Sequence, residues 1–144
     1  MSIKLSQRSI KFTTPPSVKS CASTVGQKEG EGTLGEYFDV ISEDSYFGEE
    51  TWEKAESTMQ RMTIERAIKK AKLTPEDIDY MFAGDLINQC TSTTYGVKDL
   101  NIPLFCIYGA CSTMTEGALL GSMCMDNDLA EHIVCATSSH FSTA

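Results

Sequence analysis

The sequence predicts an α/β protein with a mixed, mostly parallel sheet and flanking helices, and three observations carry that prediction. From residue 50 onward helix-like and strand-like segments alternate, the order that produces parallel strands through crossover connections. The strand-like segments "YMFAG" and "LFCIYG" are short apolar runs bounded by turn residues, as buried strands are. The composition, 41% hydrophobic and 22% charged over 144 residues, is that of a globular chain. A chain of this size buries roughly 68–70% of its unfolded surface, enough for a real core. One domain spanning residues 1–144 is expected.

The elements follow in order. "SIKF" and "SVKSCASTVG" read as strands separated by Pro15-Pro16, since proline is confined to edges and breaks. They are expected to join the same sheet, antiparallel at an edge. "GQKEGEGTLGEYFD" holds Gly26, Gly30, Gly32 and Gly35 and reads as a loop. "EETWEKAESTMQRMTIERAIKKAK" is the most secure helix: Trp52, Ala55, Met59, Met62, Ala67, Ile68 and Ala71 recur near the helical period. Glu49, Glu50 and Glu53 crowd its start and Lys69, Lys70 and Lys72 its end, which complements the helix dipole. In "LTPEDIDYMFAGDLI", Thr74 can cap a short turn, Pro75 suits its first position and Asp77 can return a bond. "NQCTSTTYGVKDLN" predicts a helix ending near Asn101-Ile102-Pro103, "LFCIYG" a buried strand, residues 112–125 a helix, and "EHIVCATSSH" a last strand.

Charge and cysteine usage bound the function. The formal net charge of -8 and the lack of a basic stripe argue against nucleic acid or anionic lipid as a partner. No apolar run approaches the ~18 residues of a membrane span, and "MSIKLSQRSIKF" lacks the apolar stretch of a secretion signal. Synthesis and residence in the cytosol are expected. Cys21, Cys90, Cys106, Cys111, Cys124 and Cys135 form no CxxC pair, and His132 and His140 have no paired thiols at ligand spacing, which argues against zinc and predicts no metal or cofactor. In a reducing compartment, cysteines in apolar segments serve as small buried hydrophobes.

Residues 112–125 carry one charge, Glu116, and place Gly117 and Gly121 four apart among Leu119, Leu120, Met123, Cys124 and Met125. A helix apolar nearly all round is buried nearly all round, and glycines in a helix need a packing reason because each costs roughly 1 kcal/mol. The expectation is a buried helix sandwiched between layers, covered by another copy of the chain or by a second half. Cys111 stands where strand meets helix, a place whose unpaired N–H groups attract negative charge and favour thiolate. That geometry suits a nucleophile forming a thioester, a pocket for a carboxylate, or a structural thiol, and spacing alone leaves these open.

The stretches "KFTTPPSVKSCASTVGQKEGEG", "GDLINQ" and "YGACSTM" resemble the stage V sporulation protein AD family, within the thiolase-like (ketoacyl-synthase-III-like) superfamily. The resemblance implies an N-terminal thiolase-like half, with a mixed sheet and a central helix beginning after Cys111, and a C-terminal half that lies outside this chain. It implies a non-catalytic binder of dipicolinic acid, or of its calcium chelate, in the uptake of that compound into the developing spore. It further implies other transport subunits as partners, a peripheral place at the forespore or spore inner membrane, and a homo-oligomer or pairing with the missing half. Carried over onto these residues, the ligand site would draw on Asp85, Leu86 and Gln89 of "GDLINQ", on Cys111, Ser112 and Thr113 of "GACSTM", and on His140. Two other readings stand beside it: a thiolase-type acyltransferase with Cys111 as nucleophile, which would need a histidine-bearing second half, and a scaffold subunit.

Overall fold

The computed structural model describes residues 2–87 and 90–140. Its centre is a three-stranded parallel sheet in the order β6-β5-β7: β5 spans Tyr80–Gly84, β6 Leu104–Cys106 and β7 Ile133–Thr137. Phe82 lies opposite Phe105 on one side and Cys135 on the other. Because side chains alternate along a strand, β5 divides the molecule. Met81 and Ala83 point into the core with Ile64, Ile68, Ile78, Val97 and Ile102. Phe82 points the opposite way.

Helices α2 (Trp52–Lys70) and α3 (Thr91–Val97) cover the Met81 side. Thr51 caps α2 through its side chain, accepting from the Lys54 N–H. At the other end, Lys72 takes a left-handed conformation with φ 60°. The Leu73 N–H reaches the Ile68 carbonyl and the Lys72 N–H the Lys69 carbonyl, the paired bonds of a Schellman stop. The turn at Thr74–Asp77 closes with the expected capping box.

Helix α4 (Thr113–Asp126) covers the Phe82 side. A Cβ on Gly117 would lie 3.4 Å from the Phe82 Cβ, and one on Gly121 would lie 3.1 Å from Ile133 and 3.4 Å from the Cys135 sulfur. The two glycines let the helix sit close on the sheet, which is the packing reason their cost requires. Only Thr113, Gly117 and Gly121 are buried in α4. Met114, Leu119, Leu120 and Met123 are exposed, so within this chain α4 is covered on one face only, and the expectation of burial all round is not met by these residues alone.

The N-terminal strands depart from expectation. They do not join the central sheet. β1 (Ile3–Ser6) and β2 (Ser9–Lys11) form an antiparallel hairpin, while β3 (Thr24–Gly26) pairs in parallel with β4 (Val40–Ser42) as a separate ribbon. The presumed loop contains helix α1 (Gln27–Gly30) and a 3-10 turn at Gly35–Tyr37, and β4 follows it directly. β4 went unread because a three-residue strand gives almost no alternation to read. Asp39 anchors this region to α2, with its carboxylate 2.9 Å from the Lys70 Nζ and 3.6 Å from the Arg66 Nε. No helix among the described residues is long and apolar enough to cross a membrane.

Candidate functional site

In a parallel sheet every strand ends on the same side, so β5, β6 and β7 deliver the segments that follow them to one edge. That edge is where open α/β sheets bind ligands. It holds Asp85 after β5, the corner Tyr108–Thr113 after β6, and Ser138 and His140 after β7.

The β5 and β6 ends are locked together at Gly84. A Cβ there would collide with the Ile107 carbonyl and stand 3.0 Å from the Thr113 methyl, so no other residue fits without displacing backbone. The Tyr108 hydroxyl donates to the Leu86 carbonyl at 3.4 Å. The structure therefore sets the Asp85–Ile87 turn beside the corner that carries Cys111. Gln89 lies outside the described residues.

Asp85 is fully buried. One carboxylate oxygen accepts from the Ile87 N–H at 2.9 Å, and the other from the Thr93 N–H at 2.7 Å and the Thr93 hydroxyl at 2.5 Å. Thr93 is in the first turn of α3, whose preceding residue, Cys90, is left-handed and makes no side-chain cap. The aspartate supplies that cap from a distance, placing negative charge at the positive end of the helix.

The Cys111 corner is built around a strained residue. Ala110 has φ 49°, a left-handed conformation that costs an L-residue roughly 1–2 kcal/mol. Thr113, almost fully buried, holds the turn: its hydroxyl accepts from the Gly109 N–H at 3.2 Å and donates to the Ala110 carbonyl at 2.9 Å. The Ser112 hydroxyl donates to the Gly109 carbonyl at 2.7 Å and does not cap α4. Cys111 and Ser112 are exposed, so the corner is open surface in this chain, at a helix start whose N–H groups have no side-chain cap.

His140 is buried on the same edge. Its ring lies 2.9 Å from the Ser45 carbonyl and 5.1 Å from the Trp52 ring. His132 sits at the opposite edge, where its N–H donates to Asp79.

Sequence reasoning missed the polar centre behind this edge. Glu56 and Gln60 are buried on α2. The Gln60 amide nitrogen reaches the Gly84 carbonyl, the Thr93 hydroxyl and the Ser138 hydroxyl at 3.1, 3.1 and 3.2 Å. Ser138 donates onward to Glu56 at 2.8 Å, as Thr93 does to Asp85. One glutamine thus ties α2, α3, β5 and the exit of β7 together. The signal was present in the spacing of Trp52, Glu56, Gln60 and Ile64, a row at intervals of four, but an apolar count steps over its polar members. The apolar count also assigned Met62 to the buried stripe, whereas it is exposed.

The cysteines divide by environment. Cys90 is buried, and burial pushes its thiol upward, as it does at Cys135. Cys21 is exposed, and so is Cys106, against the expectation that cysteines in apolar segments are buried. Cys106 closes a three-residue strand at the sheet edge, with no strand covering its outer side among the described residues.

Residues 6–144 match the family described as "Stage V sporulation protein AD". The chain belongs to the stage V sporulation protein AD family. A curated relative, "Stage V sporulation protein AD" of Bacillus subtilis (strain 168), is 38% identical over 133 residues. The alignment takes in 92% of this chain and 39% of that protein, so the chain spans about two-fifths of the length of the relative it matches. The family places the chain in sporulation. The family match begins at residue 6, inside the exposed hairpin, and includes both the "GDLINQ" turn and the "GACSTM" corner.

Proposed function

We propose that this chain is a non-catalytic binder of dipicolinic acid, or of its calcium chelate, serving the uptake of that compound into the developing spore. The observation that carries the reading is the corner at Cys111. A strained Ala110 presents Cys111 and Ser112 outward at the start of α4, and strain of this kind persists where a surrounding structure over-determines it, as at binding sites. The corner offers a carboxylate the positive end of the α4 dipole beside the exposed Cys111 and Ser112, while the Ser112 and Thr113 N–H groups already donate to the Gly109 and Ala110 carbonyls. Asp85 and Thr113 act from beneath by fixing the two loops, Leu86 borders the corner, and His140 closes the β7 side. The net charge of -8 opposes a free dianion, so the neutral chelate is the preferred form.

Calorimetry of dipicolinate against the chain, with and without calcium, tests this. Binding that strengthens with calcium and weakens in Cys111→Trp, which fills the corner, is expected. Absence of heat in both arms overturns it.

The exposed apolar face of α4 supports a second part of the reading. The chain works as one thiolase-like N-terminal portion of a larger assembly, in which a C-terminal portion or a second copy lies on Leu119 and Met123. Other transport subunits and a peripheral position at the spore inner membrane belong to this same proposal.

A further inference from the structure

The hairpin at the start of the chain has no visible reason to be folded. Every residue of β1 and β2 is exposed, and the two strands pack chiefly on each other. A lone two-stranded hairpin is at best marginally stable in water. This one also exposes Ile3, Leu5 and Ile10 at 51%, 63% and 42%. Its charge is distinctive within an acidic chain: Lys4, Arg8 and Lys11 are there, with no aspartate or glutamate among residues 2–11.

The complement of that surface is elsewhere in the same molecule. Between Glu29 and Glu53 the sequence has nine acidic residues and no lysine or arginine. Part of this segment is committed, since Asp39 binds Lys70 and Asp44 accepts from the Tyr46 and Gly48 N–H groups. Glu29, Glu31 and Glu43 are exposed around β4. Leu34, Tyr37 and Ile41 expose apolar surface beside them, at 60%, 73% and 45%. Among the described residues β4 pairs with β3 on one side and with no strand on the other. An open strand edge is a template for another strand.

We propose that the β1–β2 hairpin of one copy docks on the β4 edge of a second copy, adding strands to the β3–β4 ribbon. Lys4, Arg8 and Lys11 meet Glu29, Glu31 and Glu43, and Ile3, Leu5 and Ile10 cover Leu34, Tyr37 and Ile41. Made reciprocally, the contact closes as a two-fold dimer. It fits a second copy better than an anionic membrane, which the acidic body would repel.

Sedimentation velocity on the full chain tests the proposal. To set aside association through α4, it is run in a Leu119→Glu background. The expected result is a concentration-dependent dimer at low salt. Its dissociation constant should rise at least about tenfold near 1 M salt, where the Debye length is ~3 Å. The triple variant Lys4→Glu, Arg8→Glu, Lys11→Glu should be monomeric. Mixing it with Glu29→Lys, Glu31→Lys, Glu43→Lys should restore a heterodimer. The proposal is overturned by a monomer at low salt, by a dimer indifferent to the hairpin charges, or by a monomeric chain that uses the hairpin to bind phosphatidylglycerol vesicles.

Discussion

Replacing Asp85 by alanine separates an aspartate that builds the site from one that merely faces a ligand. The carboxylate accepts three bonds, from the Thr93 N–H, the Thr93 hydroxyl and the Ile87 N–H. After truncation the hydroxyl can rotate to another acceptor, and water can reach the half-buried Ile87. The Thr93 N–H is stranded in the first turn of α3, within a residue that is fully buried. A buried donor left unpaired costs about 1–3 kcal/mol, and the poorer bonding of the other two groups adds about 1 kcal/mol more. The expected loss is about 3 kcal/mol. With a urea slope of about 1–3 kcal/mol/M, the unfolding midpoint falls by roughly 1–3 M. Asp85→Asn keeps one oxygen for Thr93 and should lose about half as much. The assay is equilibrium urea unfolding followed by circular dichroism. If Asp85→Ala unfolds within ~0.5 kcal/mol of the parent, a surface-like effect, the aspartate is not holding α3 and the reasoning fails.

Other expectations follow from the same geometry. Gln60→Ala breaks the tie among Gly84, Thr93 and Ser138 and opens a cavity, so a loss of about 2–4 kcal/mol in the same unfolding assay is expected. Lys72→Gly relieves the left-handed position after α2 and should stabilise by about 0.5–1 kcal/mol; a loss would mean that the Schellman stop is wrongly assigned. Hydrogen bonds from the Tyr46 and Gly48 N–H groups hold Asp44 below the ordinary carboxylate range, and those from His132 and Glu131 do so for Asp79. Their contribution is present above the unfolded value near 3.9 and disappears as pH falls through the lower folded values; urea midpoints should therefore fall below about pH 4, and less steeply in Asp79→Asn. In the native chain iodoacetamide should label Cys21, Cys106 and Cys111 ahead of Cys90 and Cys135, whose thiols are raised by burial, and peptide mass spectrometry reads the order. Incubation with acyl-coenzyme A should leave no thioester on Cys111, and a stable adduct would move the reading toward acyl transfer.

The second half of the fold was legible because its signals were strong and local. The helix from Trp52 declared itself by period and charge, Thr74, Pro75 and Asp77 by turn chemistry, and "YMFAG" by its length and apolarity. Residues 1–50 were not legible. Their strands are three or four residues long, and a strand that short does not announce its partner. The two loops of the candidate site could be read because both follow strands of a parallel sheet, which fixes the edge they share. What could not be read was the use of their side chains. Asp85, Ser112 and Thr113 all bond to local backbone, and the same residue types occur at caps as at ligand sites. Glu56 and Gln60 escaped because a polar residue in a buried row is visible only once the partners that satisfy it are known.

The claim on which the account rests is that the Cys111 corner, at the start of α4, receives a carboxylate. Amide chemical shifts of the chain, recorded while dipicolinate and calcium are added, test it directly. The account predicts the largest changes at the N–H groups of Cys111, Ser112 and Thr113, with smaller ones at Leu86. Unmoved signals there, or changes confined to another part of the molecule, would contradict it.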